Sequence, residues 1–186
     1  MKHVIRKAYW NYEKEEKWIN EMASKGMSLD NYSWCKYTFS EGESGEYIYR
    51  IELLENRAIH PESQNYLRFL EDNGVEHVAS YMRWVYLRKK AADGEFDIYT
   101  DITSKIRHYT RVNKMWVVLG AAELCIGLGN LSIATSIFSS GVASNIVGVN
   151  FIGGLLCTVI GVLFLILSRR YRKKIKMLKK EAEVHQ

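Results

Sequence analysis

Two apolar runs near the carboxyl end constrain this chain more than any other feature. Met115 to Phe138 holds one ionisable residue, Glu123, and Ile146 to Leu167 holds none. At about 1.5 Å of rise per residue, helices of these lengths extend roughly 33 to 36 Å, enough to cross a hydrocarbon core of about 30 Å. The residues between them, Ser139 to Asn145, are small and mostly polar, too few to form a domain. A soluble protein would need a much larger body to bury two helices that are apolar on every side. The pattern therefore predicts a transmembrane helical hairpin over residues 115–168.

Charge divides the rest of the chain. Residues 1–114 carry eighteen Lys and Arg against eighteen Asp and Glu, whereas residues 169–186 carry eight Lys and Arg against two Glu. The net charge of +5 is thus a property of the tail. A neutral domain beside a basic segment argues against nucleic acid and for membrane topology. Basic residues close to a membrane stay on the cytoplasmic side. Lys105, Arg107, Arg111 and Lys114 precede the first apolar run, Arg169, Arg170, Arg172, Lys173 and Lys174 follow the second, and the connection has none. The expected location is the cell membrane with both termini cytoplasmic. The five cations after the second run are the expected contacts for anionic lipid head groups, worth about 1 kcal/mol each near such a surface.

Within the apolar runs, small and polar residues recur at helical spacing. Gly120, Glu123, Gly127 and Asn130, continued by Ala134, share one face, and Asn150, Gly154, Thr158 and Gly161 share another. Small residues let helices approach closely and polar ones bond across the contact, so these faces are expected to pack together. Glu123 lies about 12 Å inside the first run by helix rise. It reads either as a proton- or cation-linked site or as a protonated carboxyl bonded to the neighbouring helix.

The first hundred residues read as an α+β domain. Trp18, Ile19, Met22 and Ala23 make an apolar stripe over Glu13 to Lys25, with Gly26 as terminator, and a second helix opens at Pro61 and stops at Asn73 and Gly74. Leu29 to Phe39, Glu46 to Leu54 and Val75 to Lys89 have strand composition, and His3 to Trp10 adds a further strand. The order β, α, β, β, α, β is that of a ferredoxin-like antiparallel sheet with helices on one face. This divides the chain into a cytoplasmic domain at 1–92, a connecting strand and helix at 93–114, spans at 115–138 and 146–167, and a tail helix at 169–186. On the sheet face away from the helices, Arg50 and Glu52 are expected beside Trp84, Tyr86 and Arg88. Such a mixture suits a peptide, small ligand or protein, unless the segment containing Phe96 and Ile98 covers it.

Catalytic and metal patterns are not evident. There is no G-x-S-x-G, phosphate-binding glycine loop or H-E-x-x-H, and Cys35, Cys125 and Cys157 lack metal-ligand or disulfide spacing. No enzyme activity, cofactor or metal is expected.

At Lys17-Trp18-Ile19-Asn20-Glu21-Met22-Ala23, Gly45-Glu46-Tyr47-Ile48-Tyr49-Arg50-Ile51 and Trp84-Val85-Tyr86-Leu87-Arg88-Lys89, the chain resembles a bacterial family catalogued as domain of unknown function 2812. The resemblance covers most of residues 5 to 112. Met27 departs from it, since a bulkier aromatic commonly follows the glycine. The resemblance supplies no activity. It implies C-terminal spans and genes beside PadR-type transcription regulators, hence an accessory to a regulated stress or envelope response. The leading expectation is a membrane-anchored binding or regulatory module with a protein partner or a second copy. The alternative is an oligomeric transporter or channel subunit using Glu123 and Asn130.

Overall fold

A computed structural model describes residues 1–99, 101–141 and 145–184. Residues 142–144 of the expected connection and the last two residues of the expected tail lie outside the described residues. The chain separates into two compact units, Met1–Thr100 and Asp101–Gln186.

The first unit is α+β: β1 (Lys2–Arg6), α1 (Tyr12–Ala23), β2 (Met27–Ser33), β3 (Lys36–Glu41), β4 (Tyr47–Leu53), α2 (Pro61–Asp72), β5 (Val75–Tyr81) and β6 (Trp84–Lys90). α1 begins where the Asn11 side chain accepts the Glu13 N–H at 2.9 Å, and α2 begins at Pro61 behind a His60 cap. Gly26 and Gly74, both with φ near +80°, follow the two helices and turn the chain into β2 and β5.

Two expected single strands are hairpins. Leu29 to Phe39 bends at Trp34 (φ 38°) and Cys35 (φ 58°), and Val75 to Lys89 bends at Met82 (φ 56°). The expected single sheet is consequently two antiparallel three-stranded sheets, ordered β1-β3-β2 and β4-β6-β5. These have the same construction. Each is a β-α-β-β unit whose first strand pairs with its last, and each has a bulge in the strand after the helix, at Asp30 and at Val78. Gly26 and Gly74, Asp30 and Val78, and Trp34 and Met82 all stand 48 residues apart. The domain is an internal repeat.

The sheets and helices enclose two cores. Ile19 and Ala23 of α1 meet Leu29, Tyr37 and Phe39 of the first sheet and Tyr49, Ile51, Ala79 and Tyr86 of the second. On the other face of the second sheet, Leu67 and Leu70 of α2 pack with Val75, Val85, Leu87 and Phe96. Phe96 and Ile98, expected in a short strand, instead lie in irregular chain and close this second core.

The second unit is a pair of helices, α3 (Ile102–Ser139) and α4 (Asn145–Val184). The Asp101 carboxylate caps α3 by accepting the Ser104 N–H at 2.6 Å. Both helices are long and apolar enough to cross a membrane. With 38 and 40 residues they extend about 57 and 60 Å, so each runs well past its apolar stretch.

Candidate functional site

Strand register decides which face each expected binding residue occupies, because directly opposed residues of an antiparallel pair project to the same side. Arg50 stands opposite Leu87 and Glu52 opposite Val85, on the face covered by α2. Tyr49 stands opposite Arg88, Ile51 opposite Tyr86 and Leu53 opposite Trp84, on the face toward α1. The expected grouping of Arg50 and Glu52 with Trp84, Tyr86 and Arg88 is therefore corrected: the five are divided between opposite faces, one packed against α2 and the other turned toward α1.

Each of the five is held from within. The buried Glu52 accepts the Tyr66 hydroxyl of α2 at 2.9 Å. Arg50 lies 3.5 Å from a Glu16 oxygen and 5.9 Å from the centre of the Phe96 ring. Arg88 donates to Glu76 at 2.7 Å and stacks its guanidinium 4.2 Å over Tyr47. Trp84 packs against Tyr12 with ring centres 5.3 Å apart. Tyr86 is buried and donates its hydroxyl to Glu15 at 2.6 Å.

That last contact belongs to a cluster that sequence reading missed. One carboxyl oxygen of Glu15 accepts both Tyr37 (2.7 Å) and Tyr86 (2.6 Å), so α1, β3 and β6 converge on one buried acid. Burial raises the Glu15 pKa, and the two hydroxyl donors oppose part of that rise. Tyr32 joins the group, its ring centre 4.5 Å from that of Tyr86. Nearby, α1 seals the free edge of β4: the Asn20 carboxamide bonds both the N–H and the C=O of Tyr49, and Glu16 accepts the Ile51 N–H. A helix covering an edge strand removes its capacity to pair elsewhere. Glu15 lay hidden because an acid on the apolar face of an amphipathic helix resembles ordinary surface charge until its tyrosine partners are placed.

In the second unit, the expected small faces do meet. A Cβ on Gly120 would stand 3.0 Å from the Gly161 carbonyl oxygen, and one on Gly127 would stand 2.9 Å from that of Gly154. Gly120, Gly127 and Ala134 are buried at seven-residue intervals, as are Gly154, Gly161 and Ser168. A sevenfold repeat keeps two helices in register along their length. The polar members flank this seam and are half-buried. Glu123 lies beside the Cys157 thiol of α4. Asn130, Asn150 and Thr158 each bond a carbonyl one turn back in their own helix.

Beyond the apolar runs the helices remain packed. His108, Val112, Ser168 and Tyr171 are buried between them. Burial, reinforced by Arg111, lowers the His108 pKa to about 3, so its imidazole is neutral. Lys174 sits 5.3 Å from the Tyr109 ring, and Arg169, Arg170, Arg172 and Lys173 are exposed along α4. Among the described residues no group of three or more His, Cys, Asp and Glu is placed to hold a metal ion.

Neither a curated protein nor a solved structure matches the chain. The family model described as "Protein of unknown function (DUF2812)" matches residues 11–121, from the cap of α1 to just past Gly120 in α3. The match takes in the Glu15 cluster, both hairpin tips and the opening of the glycine seam, and the chain belongs to the DUF2812 family.

Proposed function

We propose that this chain is a membrane-anchored binding or regulatory module. The α+β head lies on the cytoplasmic side, and α3 and α4 cross the bilayer as its anchor. The observation that carries this reading is the self-contained hairpin. Its glycine faces meet each other within one chain, Glu123 lies beside Cys157 of the other helix, and Asn130, Asn150 and Thr158 bond carbonyls of their own helices. A pore or carrier path needs polar groups directed at a passing ion or solute. Here three of those groups are taken up by carbonyls of their own helices.

The exposed Arg169, Arg170, Arg172 and Lys173, with Lys174, continue α4 beyond its apolar run and bind anionic lipid head groups. The head serves a protein partner or a second copy; its charge balance does not suit nucleic acid.

Two measurements test this. In an alkaline carbonate wash the full-length chain stays in the membrane pellet, and its release to the supernatant would contradict the anchor. Reconstituted in vesicles, the wild type and Glu123→Gln leave proton and cation permeability equally low. Flux that depends on Glu123 would replace the anchor with a transporter.

A further inference from the structure

The two hairpin tips of the head present large apolar side chains to solvent where the backbone favours glycine or asparagine. Trp34, at the β2–β3 turn, is 72% exposed at φ 38°, and Met82, at the equivalent β5–β6 turn, is 64% exposed at φ 56°. A left-handed backbone costs a residue with a Cβ roughly 1–2 kcal/mol. Burial within the head does not explain that cost, since both side chains stay mostly exposed. The tips are neighbours: the Trp34 and Tyr81 rings are 5.8 Å apart, and Tyr32 meets Tyr81 edge-on at 5.9 Å.

The first tip is basic. Arg6 pairs with Lys36 in the β1–β3 register, both are exposed, and the Lys7 N–H donates to the Cys35 carbonyl at the turn itself. Arg83 occupies the second tip, its guanidinium fixed on the Leu54 carbonyl at 2.9 Å. The stretches 5–10, 32–36 and 81–84 contain no acidic residue.

We propose that Trp34, Tyr81 and Met82 form a second membrane contact, a shallow wedge that seats in the head-group region of an anionic bilayer with Arg6 and Lys36 over the lipid phosphates. Tryptophan and tyrosine favour that depth because one end of each ring is apolar and the other polar. Cations beside apolar side chains add attraction to anionic lipid. A second copy meeting tip to tip would instead bring Arg6 and Lys36 against themselves. The inference rests on the proposed anchor, which supplies the surface: α3 begins at Ile102 and its apolar run at Met115, so a short tether keeps the head at high effective concentration beside the bilayer.

The test uses the full-length chain in vesicles of phosphatidylcholine and phosphatidylglycerol with brominated acyl chains. Subtracting the fluorescence of Trp34→Phe from that of the wild type isolates Trp34. Leu128→Trp, at a site 60% exposed on α3, reports the anchor independently. The Trp34 component is expected to be blue-shifted, quenched by bromolipid and shielded from aqueous acrylamide. Met82→Trp in the Trp34→Phe background restores a lipid-quenched component, and replacing Arg6 and Lys36 by Ser weakens it. If Leu128→Trp is quenched while Trp34 stays open to acrylamide, the wedge is wrong and the anchor stands. A Trp34 shielded from both quenchers has a protein over it, which also overturns the lipid contact. If Leu128→Trp is not quenched, the anchor fails and the wedge with it.

Discussion

Glu15 is the residue on which the head's packing converges, and its protonation carries a definite sign. Burial raises its native pKa above the ordinary carboxyl value. The stabilisation from its neutral form is therefore fully present below the unfolded pKa and is lost as pH rises through the native value. Glu15→Gln stays neutral throughout and keeps an oxygen to accept Tyr37 and Tyr86. In urea unfolding of the head, the variant's midpoint is expected to match wild type near about pH 4 and to exceed it increasingly toward about pH 7. A constant gap across that range would refute the assignment. Glu15→Ala differs in kind: two buried hydroxyls lose their acceptor, at about 1–3 kcal/mol for each group left unsatisfied. At this scale the sequence was legible where a residue type has one job. Pro61, Gly26 and Gly74 mark helix ends and do so in the structure. It was illegible at Trp34, Cys35 and Met82, which hold left-handed turns without the Gly, Asn or Asp that normally signals them. Each hairpin consequently read as one strand. Arg50 and Glu52 were misplaced for a related reason, since the face shared across a sheet depends on register, and register is a property of two strands.

Among the elements, the glycine seam was readable and the repeat was not. Glycine in an apolar helix has few uses other than close approach, so Gly120, Gly127, Gly154 and Gly161 announced their own contact. The paired β-α-β-β units share topology, bulge and turn position, yet residues 26–41 and 74–89 have only the leading glycine in common at equivalent positions. Pairing geometry survives such divergence because it needs a bulge and a turn at fixed places and tolerates many side chains there. The hairpin permits an internal control. At Gly127 an added Cβ would lie 2.7 Å from the Thr158 nitrogen and 2.9 Å from the Gly154 oxygen, whereas at Gly129 it would meet nothing within 4 Å. Gly127→Leu must push the helix backbones apart and is expected to destabilise the detergent-solubilised hairpin by about 1–3 kcal/mol, the usual range for overpacking. Gly129→Leu is expected to be neutral or slightly stabilising, because leucine is the better helix former. Thermal unfolding followed by helical circular dichroism ranks the two. Equal destabilisation would mean that the seam does not lie on this face.

For the molecule as a whole, the proposed orientation rests on the distribution of charge rather than on side-chain contacts. In the proposed topology two antiparallel helices return the chain to the side from which it entered, so one connection is exposed on the far side. In that topology the cations flanking both spans resist translocation, and the connection has no lysine or arginine to oppose its crossing. Ser139, exposed at the end of α3, is a site where a thiol reports sidedness. In a background with Cys35, Cys125 and Cys157 replaced by Ser, Ser139→Cys is expected to react with a membrane-impermeant maleimide added outside intact cells. Glu183→Cys, on the exposed tail of α4, reacts only after permeabilisation. The reverse labelling pattern would invert the topology and place the head outside. Replacing Arg169, Arg170, Arg172, Lys173 and Lys174 by Gln while adding lysines at 139 and 140 sharpens the test. If the cation imbalance sets the orientation, a fraction of the chains now inserts the other way, and Glu183→Cys in that background becomes reactive without permeabilisation. An unchanged pattern would transfer the decision to Lys105, Arg107, Arg111 and Lys114 or to the folded head, too bulky to translocate once formed.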